Sequence, residues 1–231
     1  MRKAVYGMDD RVRQAGLLYE QATFTGDADL LAEADRELDA AEADLAVARG
    51  RLVHTRILLR REQDAAGPDE DGAELPLFER AARLYGALGN VRGEAEALFW
   101  AGCFHQVIRR DNDAAVPLLE QSLALASQVG DKAVMSEALR HLGIASHRGG
   151  QLETARQRLE ESTRLRREIG QLPGAAANMV GLAYLAAAAG LSSKALALLD
   201  EADAIARASL AYRIAQQVSE ARAELADQRA D

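Results

Sequence analysis

The side chains with the strongest intrinsic chemistry here are one thiol, four imidazoles and many guanidiniums. Cys103 is the only cysteine, so neither an intrachain disulfide nor a multi-cysteine metal cluster can form. The histidines are His54, His105, His141 and His147. No two of them stand four apart around a glutamate. His141 and His147 fall on different helical faces, which argues against a zinc or two-metal site. A Cys103–His147 nucleophilic dyad needs an orienting acid and an oxyanion loop. The sequence supplies neither, and a lone helical cysteine reads as a small apolar filler. Gly149, Gly150 and Gly170 stop helices without a following Lys-Ser or a preceding strand, so they form no phosphate loop. The run RLEESTRLRREIG (158–170) sets arginines against acids at helical spacing and reads as a solvated, ion-paired face. Trp100 and Phe104 read as a helix seam rather than a base-stacking pair. These residues imply no cofactor, no metal and no catalytic site, and the chain reads as non-enzymatic.

The elements that would carry these residues follow from composition. The 231 residues are 48% hydrophobic but only 4% aromatic, with alanine roughly a fifth of the chain and four prolines. That mixture suits helices and argues against β-sandwiches and barrels. A net charge of -8 disfavours nucleic acid as a direct partner, because phosphate neutralisation needs a basic stripe. The N-terminal MRKAVYGMDDR has no apolar core of a signal peptide, and no segment approaches a membrane span. A soluble cytoplasmic protein is expected.

Glycines at 50, 89, 130 and 170 recur at spacings of 39, 41 and 40, with Gly26, Gly67, Asn112, Gly150 and Gly190 between them. Each interval of about twenty residues holds one helix of four to five turns. Leu98, Ala101, Gly102 and His105 follow helical spacing, as do Leu139, Leu142, Gly143 and Ser146, then Met179, Leu182, Ala183 and Ala186. The second helices repeat Ala114 and Leu118, Ala155 and Leu159, Ala195 and Leu199. Two periods, 3.6 and about 40, select an all-α, right-handed α-solenoid of about five helical hairpins. Its first helix spans about Asp10 to Phe24 and its second ends at Arg49. Arg51 to Glu62 opens the next hairpin, which the acidic segment 64–74 interrupts as a loop, either a lid over the groove or a tolerated insertion. Asp113 is read as an N-cap that places Pro117 in a first helical turn. Residues 209–231 are read as a polar-faced capping helix. The whole chain, 1–231, reads as one domain: weaker repeats over 1–90, clear ones over 91–208, then the cap.

The segment Leu139-x2-Leu142-Gly143-x2-Ser146, continuing to Ala155-x3-Leu159, resembles the tetratricopeptide repeat family, in a 40-residue variety common in bacterial regulators and scaffolds. The family's tryptophan is replaced by Leu98, Leu139 or Met179, and its tyrosine by His105, Ser146 or Ala186. The resemblance implies a concave groove, lined by the first helix of each hairpin, that receives a protein or peptide. Carried over by register, the groove residues are Glu96, Phe99, Cys103 and Gln106; Glu137, Arg140, Ile144 and His147; Ala177, Val180, Tyr184 and Ala187. Val53, Ile57 and Arg60 extend the rows. Partner binding is expected at Phe99, Cys103, Gln106, Arg140, Ile144, His147, Val180 and Tyr184. The other reading of Phe99, Ile144 and Tyr184 is that they bury against each other or the terminal helix. The carboxylate clamp that holds chaperone tails needs Lys and Asn where this chain has Phe99, Cys103 and Ile144, so that role is excluded. Two alternatives remain. One is a small-molecule sensor or enzyme using the groove as a pocket around Cys103, Arg140 and His147. The other is a self-associating scaffold that forms a homodimer.

Overall fold

The computed structural model describes residues 9–62 and 72–227. Among them are ten α-helices and one π-helical turn, and no strand. The chain divides into two compact units, 1–110 and 111–231. Both are built from antiparallel helical hairpins, the packing of an α-solenoid.

In the first unit α1 (Asp10–Thr25) pairs with α2 (Ala28–Glu62), which pairs in turn with α3 (Leu75–Ala87), and α3 with α4 (Val91–Cys103). The π turn (Phe104–Arg109) continues α4. The turn expected at Gly50 does not exist: α2 runs unbroken for 35 residues. Gly50 is there to admit Phe78, since a Cβ at 50 would lie 2.4 Å from that ring. Phe78 is fully buried and stacks on Trp100 at 5.8 Å, and Trp100 meets Phe99 and His54 edge-on. Trp100 therefore seams α4 to α2 and α3 rather than pairing with Phe104, which packs instead with Ile57 and Ile108. Ile57, expected on the groove, is core.

Of the acidic segment 64–74, residues 64–71, with Gly67, lie outside the described residues. Residues 72–74 form a turn into α3, and Glu74 in it is fully buried, with a carboxylate oxygen 3.5 Å from His54 Nδ1.

The second unit runs α5 (Asn112–Val129), α6 (Lys132–Arg148), α7 (Leu152–Glu168), α8 (Leu172–Ala188), α9 (Ser192–Ala208) and α10 (Tyr212–Asp227). Successive helices pack on one another, and α10 also packs on α8. Gly150, Gly170 and Gly190 end helices with φ near +74°, each followed by a residue whose N–H returns to a carbonyl five positions back, as Gln171 does to Arg166. Two other turns use residues that pattern reading passes over, Arg110 (φ 56°) and Leu210 (φ 54°). Consequently Asn112 is not a turn but the first residue of α5, and its N-cap is Asp111, whose side chain accepts from Ala114 N–H, not Asp113. Pro117 falls in the second turn of α5, inside the helix. It and Asp113 are exposed, so water can take up the carbonyl that Pro117 cannot bond. The buried second-helix pairs are Ala115 and Leu119, Ala155 and Leu159, Ala195 and Leu199, a spacing of forty; Ala114 and Leu118 sit one residue out of register.

Candidate functional site

The helices α6, α8 and α10 bear residues at intervals of forty on one face. Ala177 and Gln217, then Arg140, Val180 and Glu220, then Ile144, Tyr184 and Glu224 form three rows, and all of them line one trough of about 320 Å³, with Leu159 and Gly181. The position of α10 explains the geometry. It packs on α8 and α9 through Val218, Ala221 and Leu225, all buried, and so acts as one more first helix. Its outward residues complete the trough wall.

A polar chain fixes the α6 end. Arg140 Nη1 donates to Asn178 Oδ1 at 2.8 Å, Asn178 Nδ2 donates to Ser162 Oγ at 2.8 Å, and Ser162 Oγ donates to the Ser136 carbonyl at 2.6 Å. Asn178, Ser162 and Ser136 are fully buried. A satisfied buried network of this kind is rigid, because every alternative geometry strands a polar group in low dielectric. It ties α6, α7 and α8 together and holds Arg140 at the trough.

Glu137, expected on the groove, is committed elsewhere. It accepts from Arg166 Nη2 at 2.5 Å, while Arg166 Nη1 donates to the Gly174 carbonyl at 2.8 Å. Arg166 is 3% exposed, the exception to the solvated face expected of 158–170; the neighbouring Arg156 and Arg164 do pair with acids on the surface. Burial lowers the Arg166 pKa and the Glu137 carboxylate opposes that shift. Glycine at 174 is required here, because a Cβ would stand 2.6 Å from Arg166 Nη1.

The α10 end is acidic. Tyr184 donates to Glu224 at 2.7 Å, and burial, then this bond and the nearby Glu220 charge, push its phenol up to about 12. The trough therefore runs from a guanidinium on α6, across Ile144 and Val180, to two carboxylates on α10.

Four of the eight expected partner-binding residues, Arg140, Ile144, Val180 and Tyr184, line this trough. His147 is exposed near the end of α6 and is not among the lining residues. Phe99, Cys103 and Gln106, in the first unit, are 4%, 4% and 2% exposed and present almost no surface. Gln217, Glu220 and Glu224 were missed, although adding forty to 177, 180 and 184 finds all three. Asn178 and Ser162 carry no comparable signal, since small polar residues on helices are usually solvated. Among the described residues no three His, Cys, Asp or Glu side chains converge to hold a metal ion, and no helix is long and apolar enough to cross a membrane.

No curated protein matches the chain. Among solved structures the fold is similar to the crystal structure of BtubC (BKLC) from P. vanneervenii, at 18% identity over 87% of this chain and 89% of that one, with a TM-score of 0.44. A family model does match, and it is the tetratricopeptide repeat, over the segment that contains the α6–α7 hairpin and its Leu142-Gly143 motif. The match covers residues 93–168.

Proposed function

We propose that the trough across α6, α8 and α10 binds an extended segment of a partner protein, and that the chain works as a non-enzymatic interaction module in bacterial regulation or complex assembly. Tetratricopeptide repeats generally mediate protein–protein interaction. The observation that carries the finer reading is the convergence of the forty-residue rows. A strand crossing the three first helices meets Arg140 first, Val180 or Tyr184 next and Glu220 or Glu224 last. Such a segment has an acidic side chain or terminus for the Arg140 fork, an apolar residue at its middle and a basic residue at the α10 end. The buried chain through Asn178 holds the Arg140 end in place before binding, so little ordering is required of the protein there.

The test is capture of partner from extract by wild-type chain, by Arg140→Ala with Tyr184→Ala, and by Glu220→Lys with Glu224→Lys. Both double variants are expected to lose the partner, the second with only the small fall in melting that loss of the Tyr184–Glu224 bond brings. Undiminished capture by both would remove this trough from consideration.

A further inference from the structure

Helix α2 has two apolar faces. One packs inward: Ala43, Ala46 and Val47 meet Ala81, Leu84 and Tyr85, and Ile57 meets Phe104 and Ile108. The other is a leucine at every seventh residue, Leu31, Leu38, Leu45, Leu52 and Leu59, each between 42% and 58% exposed. At about 100° per residue Leu45, Leu52 and Leu59 lie on the side of the helix away from Val47 and His54. Helix α1 runs beside the first half of α2 only. Its Ala15 and Leu18 pack on Ala34, and Arg11, near its start, pairs with Asp44 at 2.7 Å. The last three leucines lie beyond it.

A surface helix needs one apolar stripe. A second one, along a 35-residue helix about 50 Å long, is unfavourable in water unless another surface covers it. In the second unit exposed leucines instead mark helix starts, as Leu152, Leu172 and Leu191 do. A strict seven-residue repeat is the spacing that keeps a seam in contact with a second helix over many turns. The flanking charges indicate which helix that is. Four residues after each of the first four leucines stand Asp35, Glu42, Arg49 and Arg56, all exposed. Glu42 bonds Arg80 within the chain, but Asp35, Arg49 and Arg56 have no partner among the described residues. The sign reverses at Leu45, the middle leucine.

We infer that α2 pairs with α2 of a second copy of this chain, antiparallel, about a two-fold axis at Leu45. Leu31 then meets Leu59 of the second copy, Leu38 meets Leu52, and Leu45 meets its own equivalent. The same axis sets Asp35 opposite Arg56 of the second copy and Glu42 opposite Arg49, each pair occurring twice. A surface that contacts itself across a two-fold must be self-complementary, and a charge reversal at the axis makes it so. A parallel pair would set acid against acid and arginine against arginine, which is repulsive along the whole seam. A seam about 50 Å long and one helix wide is on the scale of the roughly 800 Å² per partner that specific interfaces bury. This surface lies within the first unit and stands or falls without the trough.

The experiment is sedimentation equilibrium of the full chain over a range of concentrations, where a mass of twice 24.9 kDa is expected. Leu45→Glu with Leu52→Glu acts on both copies and should weaken the dimer on the order of a thousandfold. Two charge variants test the register. Arg49→Glu with Arg56→Glu makes the flank wholly acidic, and Asp35→Arg with Glu42→Arg makes it wholly basic. Each alone should dimerise about a hundredfold more weakly, and the two mixed should form a one-to-one heterodimer at wild-type strength. Orientation is read with a short bismaleimide, Cys103 being buried. Leu45→Cys should cross-link two copies, and Leu31→Cys should not. If the leucine variant loses helicity, the mixing experiment decides. A dimer indifferent to the leucine changes, charge variants that do not reunite, or equal cross-linking at 31 and 45 would overturn the inference. So would a chain that stays monomeric at every concentration, which would assign the stripe to a different protein.

Discussion

The two units use the same hairpin packing with different punctuation. In the second unit Gly130, Gly150, Gly170 and Gly190 all take positive φ and end helices, and the buried pairs recur at forty. In the first, Gly26 and Gly89 end helices in the same way, but Gly50 and Gly93 lie inside helices and serve contact, the one against Phe78 and the other against Tyr85, whose ring would stand 2.5 Å from a Cβ at 93. The lesson is that glycine periodicity carries two meanings. A turn glycine such as Gly130 or Gly190 is surrounded by open space, and a contact glycine faces a side chain from another part of the chain, Phe78 at Gly50, Tyr85 at Gly93 and Arg166 at Gly174. The first unit concentrates its aromatics, with Phe78, Tyr85, Phe99, Trp100 and Phe104 all on α3, α4 or the π turn, whereas the second packs almost wholly with alanine and leucine.

The largest effect that would break this contrast is at its aromatic centre. Phe78→Ala removes a fully buried ring that bridges α2, α3 and Trp100, and should cost about 3–5 kcal/mol by denaturant unfolding. A loss below about 1 kcal/mol would show that the first unit does not depend on this ring. The counterpart in the second unit is polar. Asn178→Ala leaves Arg140 and the buried Ser162 each short of a partner and should cost about 2–3 kcal/mol. It should also loosen the trough without touching its apolar residues.

Smaller effects test the two uses of glycine. Gly50→Ala gains roughly 1 kcal/mol of helix propensity but drives a Cβ into Phe78, so a net loss of about 1–2 kcal/mol is expected. Gly16, in α1 with nothing within 4 Å, is the matched control, and its alanine variant should gain up to about 1 kcal/mol. Equal gains at both positions would contradict the contact role of Gly50. Leu210→Gly relieves a left-handed leucine at about 1–2 kcal/mol, offset by the chain entropy of glycine, for a net gain of about 0.5–1 kcal/mol read as a raised Tm.

Tyr184 adds a pH signature confined to the trough. Its phenol is neutral in the folded chain up to about 12, above the ordinary value of 10.0. The stabilisation is therefore complete below pH 10 and is lost as pH climbs from there through about 12, because only the unfolded chain then releases the proton. Tyr184→Phe should remove that part of the alkaline fall in melting temperature.

Much of this was legible in the residues. The helices and their hairpin pairing follow from the two periods, and Arg140, Ile144, Val180 and Tyr184 were reached by carrying the groove that the family resemblance implies over by register. Positions 110 and 210 broke the turn pattern because arginine and leucine adopt a conformation that sequence reading reserves for glycine and asparagine. Hence α5 was capped two residues too late, at Asp113 instead of Asp111. Gly50 misled for the opposite reason, since its need for space comes from Phe78, 28 positions away in sequence. Phe99 and Cys103 of α4 and Gln106 of the π turn sit in the matching register, yet they are buried, which a 40-residue period cannot foresee.

The central claim is that three first helices of the second unit present one continuous binding face. Hydrogen–deuterium exchange of the chain with and without its captured partner tests it most directly. The account predicts added protection in α6, α8 and α10, at peptides holding Arg140, Tyr184 and Glu224, and little change in α7 or α9. Protection confined to α7 and α9, or to the first unit, would contradict it.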